Sequence, residues 1–239
     1  MRIVLIGRGK MGRLIQESAA ASGDEVEAVF GRDDLDQLGR LGRVADVVID
    51  FSRPEALPEI CSYVRRTGTP LLSGTTGYSD EEKGALSALG AYAPVLWSAN
   101  YSLGVAVLAR ALQVIAPVLR PDFDIELTET HHNQKADAPS GTAKLLLEAI
   151  DPNHTLRPVY GREGICGPRG GDEVGIHALR GGTVAGTHTV HFFGPDEELE
   201  LTHRAASRQI FVNGALHMAH LLAGRPNGVY DLQKILFGA

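Results

Sequence analysis

Residues 3–12 read Ile-Val-Leu-Ile-Gly-Arg-Gly-Lys-Met-Gly, four apolar residues running straight into Gly7-Arg8-Gly9-Lys10-Met11-Gly12. Ile3 to Ile6 has the continuity of a short strand buried on both faces. The hexapeptide fits G-x-G-x-x-G, and behind it Met11, Leu14, Ile15, Ser18 and Ala19 recur at helical spacing as far as Ala21. In a strand–turn–helix context each glycine has a task. The first makes the tight turn, the second lets backbone approach a pyrophosphate, and the third lets helix pack on strand. The helix start adds unpaired N–H groups and the positive end of its dipole. A bare structural turn is the bland alternative, and the motif gains weight from the alternation of strands and helices after it.

Beyond this stretch, short apolar runs alternate with helical patterns through the first hundred residues. Strands are expected at 26–30, 47–51, 69–73 and 95–97, with helices from Pro54 to about Arg66 and from Asp80 to Leu89. Strands separated by single helices predict right-handed βαβ units and a parallel sheet, hence an α/β fold whose N-terminal part is a Rossmann-like dinucleotide-binding domain. After Asn100 the pattern changes. A helix is expected from Leu103 to Leu119. From Phe123 to Thr130, Phe123, Ile125 and Leu127 alternate with Asp124, Glu126 and Thr128, as in a strand with one exposed face. Strand character returns at 173–179, 183–193 and 199–204, and Tyr160 to Gly171 is loop-like. This second part reads as an α+β domain with an open mixed sheet. Helical spacing from Ile210 to about Leu222 closes the chain.

Composition fits this picture. Of 239 residues, 44% are hydrophobic and 22% charged, enough apolar material for a packed core. The net charge of −6 argues against a nucleic-acid partner, whose phosphates require a cationic face. Two cysteines, Cys61 and Cys166, predict a reduced intracellular protein rather than a disulfide scaffold. No apolar run has the length of a signal core or membrane span, so a cytoplasmic protein with no membrane partner is expected.

Nucleotide choice is read at the end of the second strand, where the chain runs Phe30-Gly31-Arg32-Asp33-Asp34. Arg32 could meet a 2′-phosphate, favouring NADPH, whereas Asp33 keeps NADH open. The second informative stretch is Glu129 to Lys144, ETHHNQKADAPSGTAK. Two histidines and a lysine at a strand end form a proton-carrying, cationic cluster. Ser140 is placed to cap the helix that begins near Thr142, and Gly141 leaves amides accessible to a carboxylate. Together these groups suit a small dianion. His131 and His132, being adjacent on a strand, point to opposite sides, so one of them at most carries the proton. His177, His188, His191 and His203 show no metal-ligand spacing, so no metal is expected, and neither cysteine has a histidine partner in recognisable order.

The block ETHHNQKADAPSGTA resembles the E-x-H-H-x-x-K-x-D-x-P-S-G-T-A block of the 4-hydroxy-tetrahydrodipicolinate (dihydrodipicolinate) reductase family. IGRGKMG, VIDFSRPEA, SGTTG, SANYSLGV and the late ASR and FVNGA segments occur in the same order as in that family. The resemblance implies NADPH- and/or NADH-dependent reduction of 4-hydroxy-tetrahydrodipicolinate, with loss of water, in the diaminopimelate route to lysine. By position, it makes His131 the proton donor/acceptor and Lys135 the proton-donating lysine. His132, Gly141 and Thr142 become contacts of a small cyclic dicarboxylate, with Ser140 beside them. It assigns to the cofactor Gly7, Arg8, Gly9, Lys10, Met11 and Gly12, with Arg32 and Phe51 beyond the turn. Gly74, Thr75 and Thr76, then Ser98, Ala99, Asn100 and Tyr101, and finally Arg208 complete that set. Residues 1–101 and 208–239 are then the dinucleotide domain, and 102–207 the substrate and oligomerisation domain of a homotetramer, with hinges near 100–102 and 208. Two rivals share the first domain. A dehydrogenase of another aspartate-derived substrate should lack the HH-x-x-K…PSGT block, and a dinucleotide sensor has no need of His131 and Lys135 together.

Overall fold

In the computed structural model, which describes residues 1–238, the chain divides into two compact units: Met1–Ser102 with Gln209 onward, and Leu103–Arg208. The first is built on a six-stranded sheet. Its strands are β1 (Arg2–Ile6), β2 (Glu25–Phe30), β3 (Val47–Asp50), β4 (Leu71–Ser73), β5 (Pro94–Trp97) and β11 (Gly228–Tyr230). All pair in parallel, in the order β11-β5-β4-β3-β1-β2. Val4, Ile6, Val48, Leu71 and Val95 face one helical layer that includes Ile60, Tyr63 and Val64 of α2 (Leu57–Thr67). Ile3, Leu5, Ile49, Leu72 and Leu96, equally buried, point the other way. That side is covered by α1 (Lys10–Ala21) and α6 (Gln209–Ala223), which is why the strands are apolar without alternation.

Local chemistry sets the helix ends. Ser79 and Glu82 form a reciprocal capping box at α3 (Asp80–Ala88). Gly68, with φ +65, ends α2 in the left-handed conformation and returns its N–H to the Val64 carbonyl. Two expectations need correction. No α-helix joins β2 to β3; the link is a 3₁₀ segment, Leu35–Arg40, in which Leu35, Leu38 and Leu41 recur every third residue and pack against the core. Pro54–Ala56 is likewise a 3₁₀ turn, and α2 proper begins at Leu57.

The second unit carries a five-stranded mixed sheet. Its strands are β6 (Asp124–His131), β7 (Arg157–Tyr160), β8 (Glu173–Arg180), β9 (Gly186–Gly194) and β10 (Glu197–Ala205), ordered β10-β9-β6-β8-β7. β6 runs parallel to β8 and antiparallel to β9. α4 (Leu103–Leu119) and α5 (Gly141–Ile150) cover one face, burying Leu112 and Leu146 against Ile125, Leu127, Val174, Val190 and Phe192. Pairing starts at Gly186, not Thr183, because 181–185 form the turn between β8 and β9. β7, β11 and the final α7 (Leu232–Phe237) have no counterpart in the sequence-based expectation. β7 and β11 are short, partly exposed edge strands of four and three residues, and neither repeats enough to show a period.

Candidate active site

In the first unit the sheet order reverses between β1 and β3, and the turns after these two strands meet at their carboxyl ends. Gly7, φ +118, passes so close to the next strand that a Cβ would stand 2.3 Å from the Phe51 carbonyl oxygen. A Cβ on Gly12 would lie 1.9 Å from the Gly7 oxygen, so α1 packs directly on the turn. Gly9 differs: a side chain there would meet nothing within 4 Å. Gly7, Arg8 and Gly9, with Arg32 and Phe51, line a cavity of about 780 Å³. No side chain caps α1 and no acidic residue occupies its first turn, which leaves its positive end for an anion. These features fit a dinucleotide pyrophosphate above Gly9.

Arg8, which lines this cavity, has a carboxylate partner that the sequence reading did not assign. The Asp34 carboxylate accepts the Gly31 amide at 2.7 Å and is ion-paired with Arg8, whose guanidinium also reaches the Val29 carbonyl at 2.8 Å. The Gly31 amide and then Arg8 hold Asp34 below its usual carboxylate range. Arg32 and Asp33 both line the cavity, and Asp34 pairs with Arg8 at the end of β2. Which residue of this turn meets Arg8 is set by how the turn folds and has no signature in spacing alone.

Lys10, Met11 and Gly12 lie outside the lining of this cavity, as do Gly74–Thr76, Ser98–Tyr101 and Arg208. The ends of β3 and β4 are instead joined by Asp50, and the end of β5 and the residues after it reach them through Trp97 and Tyr101. This buried carboxylate accepts the Ser52 hydroxyl at 2.5 Å, the Ser73 hydroxyl at 2.7 Å and the Tyr78 hydroxyl at 3.1 Å. Burial pushes Asp50 up, against those hydrogen bonds. Thr75 Oγ1 takes the Ser52 amide, Trp97 donates to the Thr75 carbonyl, and buried Tyr101 donates to the Ser73 carbonyl at 2.7 Å. The Phe51 ring lies against Gly74, where a Cβ would be 2.3 Å from it. Ser98 Oγ bridges to Asn100, Thr76 and Ala99 are exposed on these loops, and Arg208 is exposed just ahead of α6.

In the second unit the pleat of β6 builds the site. The alternation that sends Ile125 and Leu127 into the core sends Glu129 and His131 to the same face, at the end where α5 begins. Glu129, with a fully buried side chain, accepts His131 Nδ1 at 2.5 Å and the Ser140 amide at 3.0 Å. Arg180 of β8 grips the same carboxylate with two nitrogens, at 2.8 and 2.9 Å. Burial alone would raise Glu129; Arg180, His131 and Ser140 outweigh it and hold it low. Ser140 caps α5 by accepting the Ala143 amide, and its hydroxyl also meets His188 Nε2 at 2.9 Å. His188, opposite Glu129 on β9, is pushed down to about 4 by burial and by the His131 charge.

His131 is buried at the strand end, whereas His132 is off the strand and half-buried. The turn then carries Lys135, whose Nζ donates to Asp137 at 2.6 Å. Gly141 opens α5 in an exposed position with no acidic neighbour in the first turn, and Thr142 follows half-buried. His131, Ser140, Gly141 and Thr142 therefore converge around one helix start, with Lys135 on the turn leading to it. Glu129, Arg180 and His188 were not anticipated as site residues; Arg180 and His188 arrive only through strand pairing. Pairing of β9 with β10 also gathers His191, Glu198 and Glu200 on the surface, their ligand atoms within 4.8 Å of one another, a grouping linear spacing did not reveal.

A dinucleotide-type turn in one unit and a proton-carrying, anion-ready cluster in the other define a two-unit nicotinamide-nucleotide-dependent oxidoreductase. Comparison narrows the class. Residues 1–101 match the model for the N-terminus of dihydrodipicolinate reductase and residues 104–236 that for its C-terminus. The 4-hydroxy-tetrahydrodipicolinate reductase of an Exiguobacterium species is 40% identical over 238 residues, covering 98% of this chain and 95% of the relative. That of Clostridium tetani is 40% identical over 249 residues, covering 99% and 97%. In fold, the chain is similar to the dipicolinate-bound dihydrodipicolinate reductase of Paenisporosarcina sp. TG-14, with a TM-score of 0.80, 21% identity and 99% of each chain covered. The chain belongs to the dihydrodipicolinate reductase family.

Proposed function

We propose that the protein reduces 4-hydroxy-tetrahydrodipicolinate to tetrahydrodipicolinate, with loss of water, using NADPH and/or NADH, in the diaminopimelate route to lysine. When bound, the reduced nicotinamide supplies the hydride. The chain's own groups do the rest. The helix start at Gly141 and Thr142, with the positive end of α5, receives one substrate carboxylate, with His132 beside it. The Lys135 ammonium meets the negative charge that develops on the substrate, and either Lys135 or His131 Nε2 delivers the proton. Gly7 to Gly12 hold the pyrophosphate, and Gly74–Thr76, on the loop tied by Asp50, and Ser98–Tyr101, linked to it through Trp97 and Tyr101, serve the ribose and nicotinamide.

What carries this reading is the convergence of His131 and Ser140 on one buried carboxylate at the start of α5, in a family whose curated relatives bear this activity. The test is NADPH and NADH oxidation, assayed separately, on freshly generated product of the preceding synthase. Nucleotide consumption that does not depend on that product would refute it. We also propose a homotetramer formed through the sheet of the second unit. Support comes from Leu179, Phe193 and Leu199 on its strands and from Ile165 beside it, all exposed in the single chain. Light scattering that returned a monomer mass would overturn this part. Among the described residues no helix is long and apolar enough to cross a membrane.

A further inference from the structure

We propose that Glu129 is the positioning residue of the site, fixing the tautomer of His131 and tying the proton carrier to the substrate-binding helix start through one carboxylate. The proposal rests on His131 acting as a proton carrier in the proposed reaction. Four donors converge on the two oxygens. Oε2 takes His131 Nδ1 and one Arg180 nitrogen, and Oε1 takes the other Arg180 nitrogen and the Ser140 amide. This fills the roughly four lone-pair sites of a carboxylate. An ionised carboxylate only accepts, so His131 Nδ1 must carry a proton whether the ring is neutral or charged. Nε2 is then the one nitrogen that gains and loses a proton.

The surroundings keep that assignment. Gly186 backs the ring: a Cβ there would stand 3.1 Å from His131 Nε2. The His188 ring meets His131 edge-on at 5.1 Å, and its Nε2 is engaged with Ser140. Arg180 extends the same lock to the turn, donating to the Asp137 carbonyl at 2.8 Å while the Asp137 carboxylate holds Lys135. The charged and titratable groups around His131 are therefore Glu129 on β6, Arg180 on β8, His188 on β9, Lys135 and Asp137 on the turn, and His203 beyond His188 on β10. Glu129 offsets the Arg180 charge. Neutralising it leaves a cation beside His131 and presents an amide N–H₂ that Arg180 and the Ser140 N–H cannot accept and that His131 Nδ1 accepts only as the Nε2–H tautomer.

The experiment pairs kinetics with ¹⁵N-imidazole NMR. In the wild-type protein, neutral His131 should show the Nδ1–H tautomer. In Glu129→Gln it should shift towards Nε2–H. Its turnover should fall on the order of 10²–10⁴-fold, as expected when a proton carrier is held in the wrong tautomer. The KM for NADPH should stay within about threefold. The limb of the pH profile that reports His131 should move to lower pH, because the uncompensated Arg180 disfavours imidazolium. Glu129→Asp, which keeps the charge, should recover part of the turnover. An Nε2–H tautomer in the wild type overturns the proposal, as does a folded Glu129→Gln with unchanged turnover and pH profile. If Glu129→Gln does not fold, the wild-type spectrum alone decides. The tautomer is read without turnover, so it stands apart from failure of the proposed reaction.

Discussion

Acid should destabilise the second unit through His188, by an amount the structure sets. His188 is 3% exposed, and burial with the nearby His131 and Lys135 charges takes its pKa from 6.5 to about 4. Between those values the unfolded chain holds a proton that the native chain does not. Stability from this group is therefore fully present above about pH 6.5 and is lost as pH falls towards 4. At roughly 1.36 kcal/mol per pH unit, the gap amounts to about 3 kcal/mol. Urea unfolding by circular dichroism, with hydrogen exchange of β6 and β9 amides, should be run from pH 7 to pH 4 on wild type and His188→Asn. The variant begins less stable, having lost a packed ring and the Ser140 contact. Wild type should then lose about 3 kcal/mol more than the variant across the range. Carboxylates such as Glu126, held at about 2 by Arg162, His177 and Arg169 against the cost of its burial, titrate alike in both proteins and cancel. Parallel pH dependences for the two proteins would mean that His188 binds its proton equally well folded and unfolded, and that burial does not set its affinity for the proton.

Lys135→Ala should lower turnover on the order of a hundredfold or more, with little change in nucleotide affinity, in steady-state kinetics and nucleotide titration. Gly12→Ala drives a methyl to 1.9 Å from the Gly7 carbonyl, so nucleotide binding measured by calorimetry should be lost while the second unit keeps its hydrogen-exchange protection. Asp34→Asn releases Arg8 from its carboxylate partner. The NADPH-to-NADH ratio of kcat/KM should rise on the order of tenfold, the worth of one charge-assisted hydrogen bond, and an unchanged ratio would remove the pair from nucleotide selection.

Much of the fold was legible because its signals are local. The run from Ile3 to Gly12 needs only its own order to announce a buried strand, a turn and a helix, and α4 from Leu103 to Leu119 follows from its unbroken apolar spacing. Ser140 reads as a cap because a cap is a contact between residues three apart. The β2–β3 link departs from the general alternation of strands and helices: Leu35, Leu38 and Leu41, three apart, form a 3₁₀ segment whose packing on the core only the fold supplies. β7 and β11 were invisible because strands this short owe their existence to the neighbours they pair with.

Residue types and short-range order were enough to set the chemistry on offer: imidazole, ammonium, open helix amides and a glycine turn. How those groups are held is a property of the folded chain. Arg180 and His188 lie 51 and 59 residues beyond Glu129, and pairing of β8 and β9 with β6 brings them to it. Asp34 is joined to Arg8 because the turn folds its carboxylate back onto Gly31 and Arg8. The physical reason is common to both cases. A side chain's identity is fixed along the chain, but its pKa, tautomer and partners depend on burial and on charges that distant segments supply only after folding.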